Sequence, residues 1–461
     1  MIERQIITQL MLWKAKKNRK PLVLRGARQV GKTTVVAQFG KHFKQYIHLN
    51  LELIEDQQHF LKHTTIEDTI DSIFYAKNKQ LSKRPHTLLF IDEIQEIPAA
   101  LGLLRYFYEQ VPDLHVIAAG SLLETVFNRT IHYPVGRVEF LILRPVSFPE
   151  YLQAIGEHNA LEQLSHLPIA AFAQTKLLKL FQQYTLIGGM PEIVSHYAEH
   201  RDLVALKPLY ESLLLSYMDD VEKYADNNTQ NQTLRLAIRA AFSEAGKRIR
   251  FHGFGPSNYG SREMGEALRA LEKTLLIHLI YPTTGVKLPL LPDHKKAPRL
   301  QVLDTGMINY FAGLQGDILS SPNLDAIHEG LIIEHVIGQE LLAAENSVIE
   351  TLNFWVREKK TSMAEVDYLY KYNGLLIPIE VKKGATGKLK SLHLYMEQAP
   401  HNMAIRLHSG AFEISTIETN NEKTYYLLSL PYYLVSQIHL YLPWFEKQIK
   451  ALLKKKTIII S

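Results

Sequence analysis

Residues Gly26 to Thr33 read Gly-Ala-Arg-Gln-Val-Gly-Lys-Thr and satisfy the spacing G-x-x-x-x-G-K-[ST]. No other stretch of the chain restricts its fold as strongly. The apolar run Pro21-Leu22-Val23-Leu24 before it reads as a short buried strand, and Thr33 to Phe39 can continue as a helix. Strand, glycine-bearing loop and helix N-terminus in that order make an anion cradle. Glycines let backbone N–H groups turn inward, and the helix end adds partial positive charge. Gly26, Ala27, Arg28, Gln29, Val30, Gly31, Lys32, Thr33 and Thr34 are therefore expected to hold the phosphates of a nucleotide. Lys32 would reach the β- and γ-phosphates, and the Thr33 hydroxyl would bind Mg²⁺. A glycine turn without a ligand is the competing reading, and the flanking strand and helix weigh against it.

Turnover of a bound nucleotide needs carboxylates beside this loop. Leu88-Leu89-Phe90-Ile91-Asp92-Glu93 supplies them as four apolar residues followed by two acids. Such a run fits a buried parallel strand, whose C-terminal end is where ligands sit in α/β sheets. Asp92 is expected in the Mg²⁺ shell and Glu93 beside the attacking water; a solvated acid pair is the alternative. A third strand, Leu114 to Ala119, ends in Gly120-Ser121. Ser121 would orient water or sense the phosphate, or simply form a turn.

These motifs, together with Gly120-Ser121-Leu122-Leu123, resemble the AAA-type ATPases. Val135-Gly136-Arg137-Val138, the segment Leu143 to Leu152, and Gly188-Gly189-Met190-Pro191-Glu192 are similar to a prokaryotic group. In that group such an ATPase precedes a C-terminal domain of unknown function. The resemblance runs over essentially the whole chain and implies an α/β P-loop ATPase domain that uses ATP and Mg²⁺. It also implies a trans-acting or sensor arginine. Arg137 is the first candidate and Arg144 the second, with an exposed surface arginine the alternative for each. Ser121 departs from the longer polar side chain often found at its position.

With 461 residues, 46% hydrophobic and 21% charged, the chain is globular and too long for a single core. The absence of cysteine excludes disulfides and thiolate-bound metal, and suits a cytoplasmic protein. The start Met1-Ile2-Glu3-Arg4-Gln5 lacks a secretory pattern. A net charge of +5 permits nucleic-acid binding without arguing for it. Thr424 to Phe445 has no formal charge, but prolines, Gln437 and His439 interrupt it. It suits a strand followed by an amphipathic helix, not a membrane span.

Residues 1–200 alternate between strand and helix and are expected to form the ATPase domain. Residues 201–290 look helical, with helices over 203–217, 234–245 and 261–273, then a strand over 275–281. That order resembles a winged-helix module, with Arg262, Arg269 and Lys273 able to face DNA phosphates. A lid or packing domain with a solvated basic face is the other reading.

Residues 291–461 carry a second constellation. Asn373-Gly374 between two apolar runs signals a two-residue hairpin. With Tyr372 paired to Leu375, Asp367 falls opposite Glu380 and Glu365 opposite Lys382. Opposed residues share a face, with Cβ atoms roughly 4.5–5.5 Å apart. Paired carboxylates repel, so a divalent metal or the Lys382 charge is expected to hold them. Asp…Glu-x-Lys on adjacent strands resembles the restriction-endonuclease-like (PD-(D/E)xK) nucleases. There the acids bind Mg²⁺ and the lysine assists at the phosphate; hard oxygen ligands also suit Mn²⁺. That fold usually adds an acid from a preceding helix. Glu334 is the choice in the helical candidate 330–341, ahead of Glu340 and Glu329.

The expectation is thus an ATPase with a helical, winged-helix-like middle and a restriction-endonuclease-like α/β C-terminal domain. Its nucleotide state would control a metal site at Glu334, Asp367, Glu380 and Lys382 that acts on DNA or RNA. The alternatives are a switch that recruits a protein partner and a nucleotide-dependent nucleic-acid binder without cleavage. An arginine finger would imply a homo-oligomer.

Overall fold

The computed structural model describes residues 2–62, 65–120, 136–222, 227–313, 330–345, 351–359, 362–384 and 387–460. Ser121 and Glu329 lie outside these described residues.

Five parallel strands form the first sheet: β1 (Leu22–Arg25), β2 (Gln45–Asn50), β3 (Thr87–Asp92), β4 (His115–Ala119) and β5 (Glu139–Ile142), in the order β2-β3-β4-β1-β5. The apolar runs that predicted β1, β3 and β4 are continuous because both faces of this sheet are covered. Leu88 and Phe90 of β3 enter one hydrophobic cluster, and Leu89 and Ile91 enter another on the opposite face. Parallel pairing brings the C-terminal ends of β1 and β3 to the same edge, with β4 between them.

Helices follow. One spans Lys207–Glu222 rather than 203–217, so Asp219 and Asp220 lie inside it instead of ending it. Another spans Asn228–Ser243, starting earlier than expected because Asn227 caps it by accepting from Gln230 N–H. The helix Ser261–Lys273 forms where its strong apolar stripe predicts, with Met264, Leu268 and Leu271 buried. Strand β6 (Ile277–Ile280) comes next, then the short β7 (Pro282–Thr283) and β8 (Arg299–Val302). β6 and β8 pair antiparallel, so a boundary at residue 290 would cut through a two-stranded sheet.

In the C-terminal part, the helix Gly330–Ala343 precedes β9 (Phe354–Lys359), β10 (Ser362–Val366), β11 (Tyr368–Tyr372) and β12 (Leu375–Val381). The helix Lys390–Met396 leads to β13 (Met403–His408), then β14 (Glu413–Glu418) and β15 (Thr424–Pro431). The second five-stranded sheet has the order β11-β12-β13-β15-β14, with β13 parallel to β12. Asn373 and Gly374 both have positive φ, 46° and 78°, and set the register Tyr372↔Leu375. Pro378 stands opposite Leu369, one residue before the β12–β13 ladder begins at Ile379, so its missing N–H interrupts neither pairing.

The pairing expected beyond Tyr368 does not form. The ladder ends at Tyr368↔Ile379, and β10 turns away to pair with β9, bringing Glu365 opposite Val356 instead of Lys382. After β15, a 3-10 turn and the helix Ile438–Ile460 follow. Among the described residues no helix is long and apolar enough to cross a membrane.

One hydrophobic cluster runs from Ile6 and Val36 through Tyr184, Met307 and Val336 to Ile405 and Phe445. The first sheet, the helical middle and the C-terminal sheet therefore share a continuous core.

Candidate functional site

The phosphate loop takes the shape its sequence requires. Gly31 adopts φ 91° just before the helix Lys32–Gly40, a conformation costly for residues with a Cβ. Lys32 is buried, and its Nζ donates to the carbonyl oxygens of Gly26 and Ala27, each at 3.0 Å. Burial lowers its pKa, opposed by the charges of Glu93 and Asp92. The Thr33 hydroxyl donates to Asp92 Oδ2 at 2.6 Å, which joins the helix start to the end of β3. That hydroxyl–carboxylate pair has the hard oxygens a Mg²⁺ ion prefers. Glu93 follows in a left-handed conformation, φ 49° and ψ 45°, and accepts from Gln95 Nε2 at 2.6 Å. Burial raises its pKa above the ordinary carboxylate value.

A cleft of about 530 Å³ is lined by Arg28, Gln29, Gly31, Lys32, Thr33, Thr34 and Glu93. Its opposite wall is the start of the helix Pro191–His200, with Pro191, Glu192 and Ser195. The Gly188-Gly189-Met190-Pro191-Glu192 segment thus gains a place that its sequence did not disclose. Gly188 has φ 76°, and a Cβ there would strike the Asp304 carboxylate. Arg28 forms an ion pair with buried Asp220, and Tyr217 donates to the Arg28 carbonyl at 2.6 Å. The helix Lys207–Glu222 therefore closes over the loop, a contact the sequence reading missed.

Arg137 is not brought to this site in its own chain. It precedes β5, whose Glu139 pairs with Leu22 at the start of β1, so it lies toward the opposite end of the strands from Lys32. There it is half-exposed and ion-paired with Glu109. Arg144 is buried and is not among the residues lining the cleft; its Nη1 donates to His278 Nε2 at 2.8 Å, and its carbonyl accepts from Arg4, which does line the cleft.

The C-terminal acids gather from three elements. Glu334 projects from the helix Gly330–Ala343, Asp367 sits in the one-residue gap between β10 and β11, and Glu380 and Lys382 lie at the end of β12. Asp367 Oδ2 accepts from Val381 N–H at 2.7 Å, so its side chain takes up the pairing where the ladder stops. Lys382 Nζ lies 2.5 Å from Glu380 Oε1, while buried Glu380 Oε2 has no hydrogen-bond partner among the described residues. Burial, followed by the charge of Asp367, raises the pKa of both Glu334 and Glu380, and burial raises that of Asp367. The sequence missed Arg299. This residue is buried, ion-paired with Glu365, donates to the Asp367 carbonyl at 2.9 Å and stands 3.9 Å from Asp367 Oδ1. Among the described residues no three His, Cys, Asp or Glu side chains are close enough to hold a metal ion. The donor chemistry suits Mg²⁺ or Mn²⁺, but the acids stand as a carboxylate–guanidinium–ammonium network.

A buried polar chain joins the two places. Gly189 N–H donates to Asp304 Oδ2, and Gln339 Nε2 lies 3.4 Å from the same oxygen and donates to the Tyr184 hydroxyl at 3.0 Å. Glu340 accepts from Phe148 N–H at 3.0 Å and lies 2.6 Å from the Tyr184 hydroxyl. Gln339 and Glu340 share a helix with Glu334. Glu340 is thus an anchor between units and not a member of the acid cluster.

Residues 18–152 match the family model of an AAA domain, and the strand order and loop make this segment a P-loop domain of AAA type. Residues 178–317 and 329–433 match two further family models, each described as a domain of unknown function (DUF8612 and DUF4143). No curated protein matches the chain. Among solved structures, the Walker-type ATPase PABY2304 of Pyrococcus abyssi is 15% identical, over 68% of this chain and 96% of its own, with a TM-score of 0.43. The Pif1 helicase of Candida albicans is 13% identical over 39% and 48%, with a TM-score of 0.20. The Aeropyrum pernix ORC1 protein in complex with DNA is 10% identical over 67% and 90%, with a TM-score of 0.24. At these TM-scores none of the three adds to what strand order and the family model establish.

Proposed function

We propose that the chain binds and hydrolyses ATP and passes its nucleotide state to the C-terminal acid cluster, which acts on DNA or RNA. The carrying observation is the polar chain from Gly189, beside the nucleotide cleft, through Asp304 and Gln339 to the helix that bears Glu334. In the ATP step, water adds to the γ-phosphorus as the bond to the ADP oxygen breaks. Glu93 orients that water and receives its proton, while Lys32 offsets charge on the phosphates. Mg²⁺ would be held by Thr33 and Asp92 and would neutralise phosphate charge.

At the second site the connectivity supports the nuclease-like reading. A helix with Glu334, then Asp367 just before a hairpin whose second strand carries Glu380, then a helix and a strand parallel to β12 follow in that order. Lys382 would stabilise charge on a phosphodiester being hydrolysed, while Glu334, Asp367 and Glu380, as they stand, are not close enough together to hold Mg²⁺ or Mn²⁺. A cleft of about 980 Å³ carries Arg248, Arg250, His252, Lys295 and Lys296 together with Asp293 and Glu358, and Glu358 already pairs with Arg248 and Lys296, so a nucleic-acid backbone there would rest mainly on Arg250 and Lys295. On the helix face first expected, Arg262 pairs with Glu266 of its own helix and Arg269 is exposed. A cytoplasmic setting and Arg137 reaching the ATP of a second copy belong to the same proposal.

A second reading, a switch that binds nucleic acid or a protein partner without cutting, is favoured by Arg299. Its guanidinium already neutralises the acids that a metal would need. Purified protein incubated with linear and circular DNA and RNA, Mg²⁺ or Mn²⁺, with and without ATP, separates the two. Cleavage lost in Asp367→Ala and altered by ATP in wild type but not in Lys32→Ala supports the first reading. ATP-dependent binding without cleavage supports the second. Wild-type protein that binds no ATP refutes both.

A further inference from the structure

The chain does not run straight from β3 into its next helix. Glu93 turns it with φ 49° and ψ 45°, and a single 3-10 turn, Ile94–Glu96, precedes the helix Pro98–Gln110. A left-handed backbone is uncommon for a residue with a long side chain and persists only where the surroundings hold it. Two contacts do so here. Ile94 is fully buried in the hydrophobic cluster that also takes Leu89 and Ile91, and Glu96 N–H donates back to the Glu93 carbonyl at 3.0 Å. Glu93 and Gln95 flank that buried isoleucine, both partly exposed, and Gln95 Nε2 donates to Glu93 Oε2 at 2.6 Å.

Among the described residues the Glu93 carboxylate accepts no other hydrogen bond. The Gln95 amide is no better supplied. Its Oε1 is buried and has no partner among the described residues. Turning the amide over would set that oxygen against the carboxylate, so the nitrogen faces Glu93. A buried carbonyl without a partner costs free energy that an apolar side chain of the same length avoids. Gln95 is therefore poor packing material and a good holder for a carboxylate. Glu93 lines the nucleotide cleft, and Gln95 is not among the residues that line it.

We propose that Gln95 is a positioning residue for ATP hydrolysis. Its amide holds Glu93 by Oε2 and leaves Oε1 to take the proton of the attacking water as the bond from the γ-phosphorus to the ADP oxygen breaks. The assignment rests on the reading of Glu93 as the base for that water. A glutamate free to turn about three torsions spends much of its time out of line with the water. Fixing one carboxylate oxygen removes that loss without a contact to the nucleotide. The effect therefore falls on kcat and leaves ATP affinity alone.

The test follows ATP affinity, turnover and melting temperature of the full chain with Mg²⁺. Gln95→Met keeps the side-chain length and removes the donor, while Gln95→Asn keeps an amide too short to reach. Each is expected to lower kcat about tenfold, within the roughly 10²–10⁴-fold that a general base contributes. The Kd for ATP and the Tm stay as in wild type. Glu96→Gln, an exposed side chain of the same turn, leaves kcat unchanged. A further variant adds Gln95→Met to Glu93→Gln, with turnover read from release of radiolabelled phosphate. A residue that acts through Glu93 has nothing left to lose there, so the double variant matches Glu93→Gln. A residue that only props the turn lowers the rate again, and that additive result overturns the proposal. Wild-type kcat in both Gln95 variants, or a loss that lies in ATP affinity or Tm, overturns it as well. Turnover absent from wild type, or undiminished by Glu93→Gln, overturns the reading of Glu93 and the assignment with it.

Discussion

At the nucleotide cleft, lysine, threonine and two carboxylates come from two short runs of sequence, each at the C-terminal end of a buried parallel strand. At the C-terminal cluster, Glu334, Asp367, Glu380 and Lys382 come from a helix, a gap between two sheets and a strand end. The first site is joined by one bond, Thr33 to Asp92 at 2.6 Å. The second is held by counter-charges, with Lys382 on Glu380 and Arg299 on Glu365 beside Asp367. A site built on contiguous motifs needs only the sheet to bring its parts together. A site built from distant elements needs extra charges to hold the acids in place, and those charges compete with any metal.

The sharpest way to break this contrast is to remove Arg299. It is buried, and Tyr368, Glu365, Asp367 and Glu334 hold its pKa above the ordinary value although burial works the other way. Arg299→Ala leaves Glu365 and Asp367 without that partner and is expected to cost about 3–5 kcal/mol in urea unfolding. Addition of Mg²⁺ or Mn²⁺ then becomes informative. If the acids can hold a metal, the ion recovers part of the loss; if they form only an ion-pair network, it recovers none.

The equivalent change in the first site is Lys32→Ala. Among the described residues its side chain bonds only to loop carbonyls, so the fold should survive with a nearly unchanged melting curve. ATP turnover should fall about 100- to 1,000-fold, the range for losing one preorganised charge at a reacting phosphate. A variant that turns over ATP normally would show that the cleft is not the place of hydrolysis.

Between the two sites stands Glu340, and its proton sharpens the comparison further. The Tyr184 hydroxyl lies 2.6 Å from Glu340 Oε1 and 2.9 Å from the Val146 carbonyl, yet it has one proton to give. A protonated Glu340 donating to the tyrosine oxygen satisfies all three groups. Burial raises its pKa from 4.5 to about 8, in agreement with that proton. The folded chain then keeps a proton that the unfolded chain has lost between those values. This stabilisation is complete below pH 4.5 and disappears as pH rises through 8. Asp304, raised by burial to about 6, acts in the same direction lower on the scale. From about pH 6.5 to 8, wild type should therefore lose on the order of 1 kcal/mol relative to Glu340→Gln, which cannot titrate. Parallel stability profiles for the two proteins would place an ionised carboxylate at this position.

The two sites also differ in how far the sequence disclosed them. The phosphate loop, Asp92 and Glu93 were legible because each motif is local and its strand is apolar on both faces. The hairpin register was legible because Asn373-Gly374 fixes it. The break after Tyr368 was not, since β10 carries the same alternation whether it pairs with β12 or β9. Arg299 lies 66 residues from Glu365 and has no local pattern to set it apart from a surface arginine. Asp304 reads as a helix cap, and it does accept from Met307 N–H at 3.2 Å, but its second oxygen meets Gly189 across the fold. Long-range partners of buried charges are set by packing, which no local spacing encodes.

The smallest expected effect concerns the lid on the phosphate loop. Asp220 is buried and pairs with Arg28, whose side chain is 40% exposed, so solvent screens much of the pair. Asp220→Asn keeps the shape and removes the charge. If the helix Lys207–Glu222 helps to fix the loop, the Kd for ATP should rise about two- to fivefold, equivalent to about 0.5–1 kcal/mol. Tyr217→Phe removes the bond to the Arg28 carbonyl by a different route and should shift Kd in the same direction. The pair distinguishes a lid from a bystander: if both leave ATP affinity unchanged, the helix covers the loop without positioning it. The cleft would then be set by its own two motifs alone, and the contrast with the C-terminal cluster would be sharper still.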